Sequence, residues 1–240
     1  RPSVAILTGV ELEHTDRLGD TLEAVTREKA GIIKAAAPAI VPVLPARLAA
    51  IVRDAAVSAG SDLLEVRPAS GPVQSAPGGN RVAWHLARNR LTAAGPGWTV
   101  RTQLAAAGQH AGGNAAIALA GVARLGVASA KRLQRAARVL AEVELPGRAE
   151  QLSSLPWVLV DGAHTPASAA ALAHTVTDLG ARRVHLLLSV SRGKHVAGVL
   201  EPLLPLAETV TVTRADPDYS LGADQLGDIV RDLRPGLRMH

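Results

Sequence analysis

Apolar positions recur along this chain in two periods, and the alternation between them marks out the elements. A strand is predicted to begin at Val4 and to end through Leu7-Thr8-Gly9-Val10. Leu22, Val25, Thr26 and Lys29 then fall at i, i+3, i+4 and i+7, one stripe of a helix. Asp20 is its expected N-cap, with Glu23 three positions on, and Gly31 its expected stop. Ala39 to Val43 predicts a strand and Leu48 to Ala59 a helix ending at Gly60, so the chain opens β-α-β-α. The pattern then shortens. Leu63 to Val66, Arg81 to Leu86 and Trp98 to Leu104 read as strands between Pro- and Gly-rich turns, expected to form antiparallel ribbons with Gly78-Gly79-Asn80 as a hairpin turn. Helices are expected at Ala115 to Leu125 and Ala130 to Val143.

Leu145-Pro146-Gly147-Arg148 breaks the last of these helices, and the β/α alternation restarts beyond it. Strands are predicted at Val158 to Val160, His185 to Val190 and Thr209 to Thr213. Helices should follow each: one capped by Thr165, started by Pro166 and stopped at Gly180, then Val196 to Leu206 and Leu221 to Leu233. Three β-α repeats of this kind predict a parallel, Rossmann-like sheet. The expected class is therefore α/β in two domains, residues 1–145 and 146–240.

Composition narrows the field. The 240 residues are 48% hydrophobic, enough for a sizeable core, and no run approaches the roughly eighteen apolar residues of a membrane helix. No membrane partner is expected. Cysteine is absent, which excludes disulfides and thiol catalysis and suits a cytoplasmic setting. The net charge of +5 raises the question of nucleic acid, but Arg is dispersed, Phe is absent and one Tyr with three Trp offers no stacking platform. No nucleic-acid partner is expected either.

Candidate chemistry sits where predicted strands end. Glu11, Glu13, His14 and Asp16 crowd the loop after the first strand, one helix before Lys29. A lysine on an apolar stripe either snorkels to the surface or has a chemical task. Acids and an imidazole facing it suggest a metal or phosphate site. In the second domain, ligands of parallel sheets gather beyond the carboxyl ends of strands, where Asp161, His164 and Lys194 lie. Read without other information, Asp161 caps a turn, and His164 and Lys194 are solvated loop residues. Gly112 and Gly113 read as a flexible loop ahead of a helix, with Asn114 as its cap, since no G-x-G-x-x-G occurs. No G-x-x-x-x-G-K-[ST] occurs, and the one Gly-Lys, Gly193-Lys194, is followed by His195.

Leu12-Glu13-His14-Thr15-Asp16-Arg17-Leu18-Gly19 followed by Glu28-Lys29-Ala30-Gly31-Ile32 resembles the folylpolyglutamate synthase and dihydrofolate synthase family of the Mur ligase superfamily, whose signature is L-D-H-T-x-x-L-G and then E-K-A-G-I. Glu13 stands where that family often has Asp. The resemblance extends to Gly108-Gln109-His110-Ala111-Gly112-Gly113-Asn114 against G-x-H-Q-x-x-N, with Gln109 displaced to the other side of His110. It continues at Pro146-Gly147-Arg148 and at Asp161-Gly162-Ala163-His164-Thr165, the family's P-G-R and D-G-A-H-N, and at Lys194, all that remains of a D-K-D segment.

The resemblance implies the latter part of a P-loop-type ATPase domain followed by a Rossmann-like C-terminal domain. It implies that His14 and a carbamylated Lys29 hold magnesium, the carbamate supplying two oxygens that suit a hard cation. It implies that Asn114, Arg148, Asp161, His164 and Lys194 serve ATP, Arg148 by a bidentate grip on phosphate and Asp161 by accepting from ribose hydroxyls. Substrates would be L-glutamate and a folate or dihydropteroate. The family's phosphate loop and its magnesium-binding Ser and Glu come before the matching stretch. Its last strand comes after it. The chain is therefore expected to be an internal piece of a ligase, a monomer when full length, or a half-protein needing a P-loop-bearing partner, and to be inactive alone. A degenerate or partner-dependent nucleotide-binding module is the alternative. A nicotinamide-dependent oxidoreductase ranks lower, because no glycine fingerprint follows Val158 to Val160.

Overall fold

The computed structural model describes residues 2–12, 15–125 and 130–240. The chain divides into two compact units, Arg1–Glu144 and Leu145–His240.

The first unit is built on a six-stranded sheet. In chain order its elements are β1 (Ala5–Ile6), α1 (Thr15–Leu18), α2 (Leu22–Ala30), β2 (Ala39–Pro42), α3 (Ala46–Ser58), β3 (Leu63–Pro68), β4 (Arg81–Ala87), β5 (Arg90–Gly95), β6 (Trp98–Gln103), α4 (Gln109–Arg124) and α5 (Ala130–Glu142). The sheet runs in that order, β1 to β6, with β1 to β4 parallel and β4, β5 and β6 antiparallel. Because both faces are covered, β2 is apolar at every position. Ile40 joins α4 and α5 in one core, while Ala39 and Val41 join Val52 and Ala56 of α3 in the other.

Two features differ from expectation. Gly78-Gly79-Asn80 does not turn a hairpin, since β3 and β4 are parallel and the chain from Ala69 to Asn80 crosses over between them. The hairpin turn is Arg88-Asn89, both with positive φ, which matches the twist of the flanking strands. It leads into β5, whose Leu-Thr-Ala-Ala-Gly run carries little β-propensity and gave no pattern. Trp98 explains the small residue at its end: a Cβ at Gly95 would stand 2.7 Å from the indole.

The second difference is α4, which starts at Gln109, with Gly108 at φ +95 as its N-cap, rather than at Ala115. Gly112 and Gly113 are helical and seat the helix on β4. A Cβ at Gly112 would lie 2.8 Å from Trp84 Cζ3 and 3.1 Å from Leu86 Cβ. Glycine disfavours helix intrinsically, so close packing, not local preference, determines this turn.

The second unit contains β7 (Glu150–Ser154), β8 (Trp157–Val160), α6 (Pro166–Asp178), β9 (Val184–Leu188), α7 (Val196–Leu200), β10 (Ala207–Val212), α8 (Ala223–Leu233) and β11 (Arg238–Met239). A parallel sheet runs β11-β10-β9, with Leu200, Leu204, Val210, Leu226 and Val230 in its core. The expected α/β class holds. However, β8 is not in this sheet. It pairs antiparallel with β7 as a separate ribbon, and β11 is the third parallel strand. The helix expected over 196–206 stops at Leu200 and resumes as one 3-10 turn at Leu204–Leu206, because Pro202 and Pro205 lack the N–H that continued helix requires. Among the described residues, no helix is long and apolar enough to cross a membrane.

Replacing Gly112 by Ala is expected to destabilise the protein by about 1–2 kcal/mol through overpacking against Trp84, despite alanine's helix preference of about 1 kcal/mol. Gly113→Ala, with its nearest approach at 3.3 Å, should change stability far less. Urea unfolding of both variants measures the difference, and equal stabilities would show that the helix is not seated through Gly112.

Candidate functional site

In the first unit, Glu13 and His14 lie outside the described residues. Lys29 is on α2, whose N-cap is Thr21 rather than Asp20. The Thr21 hydroxyl accepts from the Ala24 N–H at 3.1 Å. Gly31 caps the other end in ordinary right-handed conformation. Val25, Thr26 and Ala30 are buried, and Lys29 on the same side is half-buried, its Nζ donating to Gly9 O at 3.4 Å. The amine therefore reaches the loop that follows β1.

Asn114 is the sixth residue of α4 and exposed, so it does not cap the helix. Gln109, which was expected to mark only a motif shift, donates from Nε2 to Leu86 O at 3.2 Å and ties the helix start to β4. His110 Nδ1 is buried and has no hydrogen-bond partner among the described residues.

In the second unit, three expected residues come together at the open end of the β7–β8 ribbon. Asp161 follows β8, and the Pro146-Gly147-Arg148 turn precedes β7, so pairing of Glu150 with Val160 brings the two segments side by side. One carboxylate joins them: Asp161 Oδ2 accepts from the Ala149 N–H and Oδ1 from the Ala163 N–H, both at 2.7 Å. The Gly162 N–H donates to Gly147 O at 2.8 Å, and the Gly147 N–H donates to Glu150 Oε2 at 2.7 Å. Arg148 is exposed, with its guanidinium beside Gly162. His164 is exposed as well, and its Nδ1 lies 2.9 Å from Gly162 O. A carbonyl only accepts, so Nδ1 carries the proton there.

Thr165, which replaces the family's Asn, is buried and caps α6. Its hydroxyl accepts from the Ser168 N–H at 3.1 Å, and Ser168 Oγ accepts from the Thr165 N–H at 2.9 Å. Lys194 is half-buried in the β9–α7 loop, beside His195, whose Nδ1 accepts from the Gly198 N–H at 3.1 Å. Glu150 and Ser168 were missed in the sequence. Ser168 had a signal, three positions after a capping Thr, but Glu150 had none before the ribbon pairing was known.

Arg148, Asp161 and His164 thus share one compact loop cluster between the end of the antiparallel β7–β8 ribbon and the start of α6, combining a guanidinium, a carboxylate and an imidazole. Residues 147–239 match the glutamate ligase domain of the Mur ligases, and the second unit belongs to that class. Along nearly its whole length the chain is homologous to the folylpolyglutamate/dihydrofolate synthases. It is 32% identical, over 93% of its length, to a dihydrofolate synthase/folylpolyglutamate synthase of Mycobacterium tuberculosis, covering 47% of that protein. It is 30% identical, over 98%, to a probable bifunctional folylpolyglutamate synthase/dihydropteroate synthase of Halobacterium salinarum, covering 28% of it. Among solved structures, M. tuberculosis folylpolyglutamate synthase complexed with ADP and AMPPCP superposes with a TM-score of 0.83 at 27% identity, covering 99% of this chain and 54% of that one. E. coli FolC in complex with DHPP and ADP gives 0.79 at 26% identity, with 99% and 52% covered. The chain spans about half the length of these two solved relatives and of the M. tuberculosis sequence relative, and 28% of the bifunctional one.

Removing the cap hydroxyl in Thr165→Ala is expected to cost about 1–2 kcal/mol, with Thr165→Ser close to wild type. Urea unfolding of the two variants reads this directly. Equal losses would show that the methyl, not the cap, is what matters.

Proposed function

We propose that this chain serves the ATP-dependent ligation of L-glutamate to the carboxylate of a folate or dihydropteroate. The observation that carries the reading is the Arg148–Asp161–His164 cluster, held in the glutamate ligase domain of a chain whose solved relatives are complexed with ADP. In this reaction the substrate carboxylate takes the terminal phosphoryl group of ATP and releases ADP. The glutamate amine then attacks the acyl phosphate, loses its proton, and expels inorganic phosphate as the amide forms.

In this reading Arg148 grips nucleotide phosphate. Its planar guanidinium suits two phosphate oxygens at once, and its charge offsets the charge that phosphoryl transfer spreads over them. The Asp161 oxygens each accept one backbone N–H, and a carboxylate has further lone pairs for a ribose hydroxyl. His164 lies on the same rim. Lys194 adds positive charge, and Asn114 is proposed as a nucleotide contact on the strength of the resemblance.

Magnesium is the second cofactor of this reading, with His14 and Lys29 as its ligands. An ammonium does not ligate a cation, so Lys29 would serve as a carbamate, and its half-buried amine beside Gly9 O fits a group held in place for that conversion. Among the described residues no group of three or more His, Asp or Glu gathers to hold a metal. The described residues therefore do not complete a magnesium site by themselves.

Two measurements test the reading. In calorimetric titration with ADP, Arg148→Ala is expected to weaken binding about tenfold or more, and Asp161→Ala more than Lys194→Ala. Undiminished affinity in Arg148→Ala would remove the phosphate role, and binding without glutamate-dependent ADP release would favour the noncatalytic module. For Lys29, incubation with 13C-labelled bicarbonate should give a carbamate carbonyl resonance in the NMR spectrum that Lys29→Arg lacks. A resonance unchanged by the substitution would rule out carbamylation of Lys29.

A further inference from the structure

Arg148 is the centre of a turn whose every other part is fixed. Gly147 has φ +64 and Ala149 φ +47, so a glycine and a buried alanine both hold the left-handed region. A non-glycine residue stays there only where its surroundings over-determine it. The surroundings here are four hydrogen bonds. The Arg148 N–H donates to Leu145 O at 3.1 Å and the Gly147 N–H to Glu150 Oε2 at 2.7 Å. Gly147 O accepts from the Gly162 N–H at 2.8 Å, and the Ala149 N–H donates to Asp161 Oδ2 at 2.7 Å. The peptide units on both sides of Arg148 are pinned, while its guanidinium makes no hydrogen bond or ion pair among the described residues of its unit.

Gly162 needs a separate explanation, because its φ lies outside the left-handed region and its backbone would accept any residue. A Cβ built there meets two groups only: Arg148 Nη1 at 3.0 Å and Gly147 O at 3.6 Å. The first is tighter than ordinary van der Waals contact, and it is the far end of a flexible side chain. Alanine at 162 would therefore leave the fold intact and shift the guanidinium by a few tenths of an ångström from its place over residue 162. The missing side chain marks the lane in which Arg148 lies.

We propose that Glu150 and Gly162 are positioning residues for Arg148, Glu150 by fixing the preceding peptide and Gly162 by leaving room for the guanidinium. The proposal rests on the reading of Arg148 as a phosphate ligand. It adds that the aim of Arg148, and not its charge alone, decides how strongly phosphate is held, since a bidentate pair depends on planar alignment.

The test uses the 240-residue chain, titrated with ADP and with adenosine, which lacks the phosphates. Gly162→Ala is expected to weaken ADP binding about fivefold or more while leaving adenosine affinity and the melting temperature unchanged. Added to Arg148→Ala, it should cost nothing further. Glu150→Ala should weaken ADP in the same selective way, and Glu150→Gln should restore most of it, because the amide oxygen still accepts from the Gly147 N–H. Wild-type ADP affinity in Gly162→Ala, with Arg148→Ala impaired, overturns the positioning role and leaves the phosphate reading standing. Equal losses for ADP and adenosine overturn it too, because they mark general damage. Full ADP affinity in Arg148→Ala overturns the phosphate reading itself.

Discussion

The carboxylate of Asp161 is the interaction on which the loop cluster of the second unit depends. Its two oxygens bond to the Ala149 and Ala163 amides, one on each side of the β7–β8 ribbon. Hydrogen bonds from backbone amides to an ionised acceptor are stronger than those between neutral groups, and here they fasten segments that have no helix or sheet of their own. Without them Ala149 would have no reason to stay at positive φ, and Arg148 would no longer stand over Gly162. One residue thus couples the motif before β7 to the motif after β8, and any ligand role for Asp161 is additional to this work.

The first unit has a comparable constraint of a different kind. Its largest core forms where α4 lies against β4, and the distance of approach is set by the absence of side chains at Gly112 and Gly113 opposite Trp84. Close approach fixes the helix's rotation about its own axis as well as its height, and so determines which residues point outward. Asn114 is exposed and Ala115 and Ala116 are buried as a direct result. Asn114 is presented by packing at the turn before it, while Arg148 is presented by the hydrogen bonds around it.

Sequence identity to the folylpolyglutamate/dihydrofolate synthases is 27–32% in the two M. tuberculosis comparisons, yet the fold superposes with a TM-score of 0.83. Most of the core is built from Ala, Val and Leu, a set that tolerates exchange only where total volume and pattern are kept. Short motifs such as Pro146-Gly147-Arg148 and Asp161-Gly162-Ala163-His164 are less exchangeable, since each member has a specific bond or a specific clearance to keep.

The sequence by itself determined the α/β class, the helix-breaking Leu145-Pro146-Gly147-Arg148 run, the capped helix at Thr165 and the membership of Arg148, Asp161 and His164 in recognisable motifs. Those features are local: a period of hydrophobicity, a Pro-Gly break, a hydroxyl one residue before a proline. Tertiary structure alone decided that β4 returns parallel to β3 and that β8 leaves the parallel sheet to pair with β7, because the pairing partner of a short strand is not written in its own residues. It also turned Gly112 and Gly113 from an apparent loop into a helix, since the contact that requires them is with Trp84, far away in the chain. Glu150 belongs to the same class. Nothing distinguishes it among the chain's acidic residues until the ribbon folds back and places its carboxylate on the Gly147 amide.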